Sequence, residues 1–196
     1  MPIKSRTPAS VQSHQPALGV TELPTCGTQS LLKPMIKRLE TALGRSNLTQ
    51  DIVLLPGFKE PPSNLNSEPQ AISFVVGYSG SAHSQTILDL ALCMAHQTRL
   101  ATANSVLVHV VYVVDATRPK AIANADRILW QARCLASEWR GSLNAHLRVG
   151  SVGTELIQVA REVEAEAILL GCHTTNHPLV QQLAGQTPCS VLGLPR

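Results

Sequence analysis

The stretch AISFVVGYSGSAHSQTILDLALCMAHQT, residues Ala71–Thr98, decides how the rest of the chain is read. Its first eight residues are apolar apart from Ser73 and rich in β-branched and aromatic types, which predicts a short strand buried on both faces. The serines and glycine of YSGS (Tyr78–Ser81) then break the run with a turn. Beyond it Ile87, Leu88, Ala91, Leu92 and Ala95 recur with the helical period, and Ser84 stands as a candidate cap. A buried strand followed at once by an amphipathic helix is the opening unit of a parallel α/β sheet.

The same alternation continues downstream. SVLVHVVYVV (Ser105–Val114) reads as a second strand, and Ile122, Ala125, Leu129, Ala132 and Ala136 mark a long helix from about Pro119 to Arg140. LNAHLRV (Leu143–Val149) alternates as a third strand, and SVGTELIQVAREVEAE (Ser151–Glu166) follows as a helix capped by Ser151. AILLG (Ala167–Gly171) is a fourth buried strand, PLVQQLA (Pro178–Ala184) a short helix stopped by Gly185, and CSVLGLP (Cys189–Pro195) a fifth strand. The expected architecture is a Rossmann-like, five-stranded parallel sheet with helices on both faces. Ligands of such sheets bind beyond the carboxyl ends of the strands, which directs attention to the loops after the first and fourth strands.

Upstream, residues 1–29 are polar and aperiodic and are expected to be a disordered tail. Residues 30–46 carry Leu32, Met35, Ile36, Leu39 and Leu43 at helical spacing, with Ser30 as cap and Gly44 as stop, so an amphipathic helix is expected there. Its other face holds Lys33, Lys37, Arg38 and Arg45. Several uses are open: the basic face sits on anionic lipid or an acidic partner, the apolar residues meet a protein partner, or the helix packs on the chain's own domain and leaves a solvated basic face. Residues 47–70, dense in Pro, Asn and Ser, read as a linker, and the folded domain is expected over 71–196.

Composition narrows the function. The longest apolar run, Val106–Val114, is about half of what crosses a bilayer, and no secretory leader is legible at the N-terminus. Six Lys or Arg against two Glu lie in residues 1–50, but nine against eight in 71–196, so the main domain lacks the charge of a nucleic-acid binder. Cys26, Cys93, Cys134, Cys172 and Cys189 are scattered with no Cys-x-x-Cys pair, which suits reduced thiols in a cytoplasm.

Other chemistries are weighed on GCHTTNHPLVQQLAG, Gly171–Gly185. Cys172, His173 and His177 have ligand types close in sequence but lack a fourth donor, since Cys189 starts the fifth strand and falls at the opposite sheet end. A Cys172 nucleophile activated by His177 lacks an orienting third group. His83 reads as a loop residue, His109 and His146 as hydrogen-bonded strand histidines, and Trp130 and Trp139 as packing residues beside Arg127, Arg133 and Arg140.

FVVGYSGSAHSQTILDLAL, VLVHVV, VGSVGTELIQVAREVEAEAILLG and TPCSVLGLP, in this order over residues 71–196, resemble the universal stress protein family. The resemblance implies an adenine-nucleotide-hydrolase-like α/β fold, a homodimer paired through the last strand, and, in one branch, ATP bound by a carboxylate after the first strand and a glycine-rich turn after the fourth. This sequence departs at both places. Ser79 stands where the carboxylate would be, Thr174 where the second glycine would be, and His177-Pro178 where Gly-Ser would be, so the turn is about seven residues short of that pattern. A turn without glycines, and with a proline that has no N–H, offers a triphosphate few donors. By carry-over, Ser79, Ser81, Val111 and Gly171 would line the cleft for AMP or ATP held weakly, with no cofactor required.

The resulting expectation is a regulatory or protective binding module, not an enzyme, with no metal. It would be a homodimer acting through protein contacts at Leu32, Met35, Ile36, Leu39 and Leu43, with no nucleic acid partner. Two alternatives stay open: a nucleotide sensor of real affinity, and a small hydrolase or nucleotidyl-transfer enzyme, which the lack of Asp or Glu in the cleft loops disfavours.

Overall fold

β2 (Ile72–Gly77) is the centre of the sheet, as its apolar sequence requires, with every residue but the last buried. It is flanked by β3 (Val106–Val114) and β5 (Ala167–Leu169), both parallel to it. In this computed structural model, which describes residues 31–57, 71–102, 104–139 and 142–195, the sheet continues through β4 (Ser142–Val149) on one side and β6 (Ser190–Leu192) on the other. The five strands expected from the sequence are all present and parallel.

A sixth strand was not expected. β1 (Val53–Leu55) lies antiparallel to β6 and gives the order β1-β6-β5-β2-β3-β4. It is preceded by α2 (Leu48–Ile52), whose Leu48 and Ile52 are fully buried. Residues 48–55, read as part of a linker, are therefore ordered structure, and only 58–70 of that segment fall outside the described residues. The backbone at Gly57 passes so close to β6 that a Cβ there would sit 2.1 Å from the Cys189 carbonyl carbon, and its N–H donates to Ser190 Oγ at 3.0 Å. The outer edge of the last strand, expected to pair with a second copy, is occupied by the chain's own β1.

Two layers of helices cover the sheet. On one face α3 (Ala82–Thr102) and α4 (Pro119–Glu138) pack on Phe74, Val76, Val108 and Val110. On the other, α5 (Val152–Glu162) and α6 (Pro178–Leu183) pack on Val75, Val111, Ile168 and Val191. Alternate residues of each strand serve the two cores, as the period of two demands. Ser151 occupies the N-cap position of α5 but makes no side-chain cap bond. Trp139 packs against the first core as expected, whereas Trp130 does not, being 64% exposed on the outer side of α4.

α1 (Leu32–Leu43) ends at Gly44, as read. Its apolar stripe is not available to a partner: Leu32, Met35, Ile36 and Leu39 are buried in the core that α3 contributes to, and only Leu43 is exposed. The reason is physical, since an amphipathic helix beside an apolar helix face gains more by covering it than by staying in water. Lys37 pairs with Glu40 at 2.8 Å, Arg45 with Asp51 at 3.6 Å, and Glu40 also accepts from the Thr49 N–H, tying α1 to α2. The Lys37 ammonium holds the Glu40 carboxyl below its usual range. Residues 1–29 and the Ser30 cap lie outside the described residues.

Candidate functional site

β2 and β5 are neighbours in space but far apart in sequence, so the loops that leave their carboxyl ends diverge and open a cleft between them. A cavity of about 430 Å³ lies there, lined by Ser79, Ser81, Val111 and Gly171, all four residues singled out from the sequence. His83, Ser84, Tyr112, Val152 and His177 also line it. Its size falls in the range of small-molecule sites, about 300–1,000 Å³.

The floor on the β2 side is a cluster of hydroxyls. Ser79 Oγ lies 3.0 Å from Ser81 Oγ and 3.4 Å from Ser84 Oγ. Ser81 accepts the Ser84 N–H at 3.3 Å and so caps α3, in place of Ser84, which is buried inside the first turn and donates to the Ser81 carbonyl at 2.9 Å. Position 79 thus offers a neutral hydroxyl already engaged with its neighbours, where a carboxylate would accept two hydrogen bonds.

On the β5 side, Gly171 is a place of close backbone approach. A Cβ there would fall 2.9 Å from the His83 carbonyl carbon, so any larger residue would push the start of α3 away from β5. Directly after it the chain makes a tight turn. The Cys172 N–H donates to the Leu170 carbonyl, the His177 N–H to the Thr174 carbonyl, and the Leu179 N–H to His177 Nδ1 at 3.2 Å. Pro178 has no N–H. Three backbone donors of the turn are thus engaged within it, and no glycine lies between Gly171 and Gly185 to shape a phosphate cradle.

Three imidazoles border this cleft. His83 and His177 line it, and His173 packs edge-on against His83, ring centroids 5.4 Å apart. Cys172, His173 and His177, weighed from their spacing as metal ligands, do not gather: Cys172 is buried while both histidines are exposed, and no group of three potential metal ligands exists among the described residues. Burial also pushes the Cys172 thiol up, which disfavours the thiolate that a nucleophile needs. His83, read from the sequence as a cleft-loop residue with no special role, lines the cavity. Its pairing with His173 joins positions ninety residues apart and has no local signal.

His109 and His146 lie in β3 and β4, away from the cleft, and hydrogen-bond to one another, Nδ1 to Nε2, at 3.0 Å. Burial lowers the pKa of both. No helix among the described residues is long and apolar enough to cross a membrane.

With this geometry in hand, comparison with known proteins is informative. No curated protein sequence matches the chain. A universal stress protein from Archaeoglobus fulgidus is similar in structure with a TM-score of 0.52 and 20% identity, over 63% of this chain and 93% of its own. The structure of the universal stress protein from Archaeoglobus fulgidus in complex with dAMP gives 0.53 and 21%, over 64% and 98%. A family model, that of the universal stress protein family, matches residues 73–193, the five parallel strands with their helices and both loops of the cleft. The chain belongs to the universal stress protein family.

Proposed function

We propose that the protein is a non-catalytic regulatory module whose cleft between β2 and β5 holds an adenine nucleotide weakly and which acts through contacts with other proteins. The observation that carries this reading is the cleft itself. It keeps the size and the lining of a small-molecule site around Ser79, Ser81, Val111 and Gly171, while the turn at 172–179 has no glycine cradle. A relative of the same fold held with dAMP supports an adenine nucleotide as the ligand class. Among the described residues, the cleft lining of this chain contains no Asp or Glu, which supports binding over acid-base chemistry. Free thiols at Cys93, Cys134 and Cys172 suit a reducing compartment such as the cytoplasm. Pairing of two copies through β6 would require β1 to leave, so we take the working form to be one in which that edge is covered.

Calorimetric titration of the full chain with AMP and ATP, beside GMP, tests the reading. The expected result is adenine-selective binding weaker than about 10 μM, that is, less than about 7 kcal/mol of binding free energy. Equal heats with GMP, no heat with any nucleotide, or turnover of ATP would each overturn it.

A further inference from the structure

We infer that His83 and His177 form a two-imidazole grip for a single phosphate group at the mouth of the cleft, so that the site selects a nucleoside monophosphate over both the nucleoside and the triphosphate. The inference rests on the proposed nucleotide reading and names which part of the ligand the chain's own residues hold.

The turn after β5 has no glycine between Gly171 and Gly185 to shape a phosphate cradle. The N–H groups of Cys172, His177 and Leu179 are committed within the turn, and position 178 is proline. What borders the cleft in their place is imidazole. His177 is fixed as the N-cap of α6: its Nδ1 accepts the Leu179 N–H at 3.2 Å, which leaves the ring proton on Nε2 and makes that nitrogen a donor. His83 lines the opposite wall, one residue after Ala82 at the start of α3, and its ring is packed edge-on by His173 at a centroid distance of 5.4 Å. The Ser79, Ser81 and Ser84 hydroxyls lie between the walls, already bonded to one another.

The loops after β2 and β5 are held close together at Gly171. Gly171 allows the end of β5 to approach the His83 backbone to within 2.9 Å of a would-be Cβ, and the short turn then carries the chain to His177 within six residues. Two imidazoles lining one cavity suit the oxygens of one phosphate, and among the described residues the lining contains no Lys or Arg to meet a second or third. Imidazole to phosphate is a hydrogen bond to a charged group, stronger than a neutral one, so losing one donor should cost about tenfold in affinity.

The test is calorimetry on the full chain with adenosine, AMP and ATP, for the native protein, His83→Ala and His177→Asn. Asn at 177 keeps an acceptor for the Leu179 N–H and so preserves the cap, and a thermal melt of each variant checks the fold. The expected pattern is AMP bound about tenfold or more tighter than adenosine, ATP no tighter than AMP, and each variant weaker for AMP by about tenfold with adenosine unchanged. If AMP is preferred over adenosine to the same extent in both variants, the grip is wrong while the nucleotide reading stands. If ATP binds tenfold tighter than AMP, selection of a single phosphate is wrong. If neither adenosine nor any nucleotide binds the native protein, the grip and the reading beneath it fall together.

Discussion

At the scale of single residues, the His109–His146 pair makes the fold sensitive to acid. Both rings are held below the ordinary value of 6.5 by burial, with Arg148 lowering His146 further and Glu162, on α5, opposing that shift. Above pH 6.5 both rings are neutral whether the chain is folded or not. Below it the unfolded chain takes up protons that the folded rings refuse, so stability falls as pH drops through this window toward the folded pKa values. The urea midpoint should therefore decrease from pH 7.5 to pH 5.5, and a His109→Leu, His146→Leu variant should lose part of that decrease. An unchanged difference in the double variant would show that the pair does not carry it. That these two histidines lie in strands was legible in VLVHVVYVV and LNAHLRV, and that they hydrogen-bond was expected from burial alone. The candidate cleft was legible to the same depth. The loops after the first and fourth strands follow from the switch-point rule, and Ser79 and Gly171 within them from the family resemblance, but the meeting of His83 with His173 depends on how two loops fold toward each other, and no spacing in the sequence encodes it.

At the scale of elements, the informative case is α1. Its period was plain in the sequence, yet periodicity reports only that one face is apolar and says nothing of what covers it. The structure supplies the cover, the core built on α3. Leu39 is fully buried there and Leu43, one turn on, is 43% exposed. Leu39→Ala should lower unfolding stability by about 2–5 kcal/mol, as for other buried leucines, while Leu43→Ala should stay within about 0.5 kcal/mol. Equal, small effects of both in urea unfolding would mean that α1 is not docked. The elements that escaped the sequence reading lie in the segment 47–70 read as a linker. α2 is five residues long and β1 three, and LTQDIVLL carries too few periods to identify either. β1 exists because β6, more than a hundred and thirty residues later, offers it an edge, which is tertiary information.

At the scale of the whole molecule, β1 decides what the sheet can do at its β6 edge. An uncovered strand edge presents a row of unpaired N–H and C=O groups and pairs readily with another chain. Here β6 has β5 on one side and β1 on the other, and β1 is anchored by α2, by α1 and by the Gly57 N–H bonded to Ser190 Oγ. The native chain should therefore run in light scattering as a monomer of 21.0 kDa with respect to that edge. Gly57→Val is the sharpest way to uncover it, because the new side chain would begin 2.1 Å from the Cys189 carbonyl carbon and cannot be accommodated while β1 stays paired. The variant should keep the parallel sheet, whose five strands pair with one another without β1, while the second core loses Leu54, and should self-associate through β6 in a concentration-dependent way. A native chain already at twice the monomer mass, with Gly57→Val unchanged, would mean that copies meet elsewhere. A Gly57→Val variant that stays monomeric and folded would mean that β1 is not what keeps the edge closed.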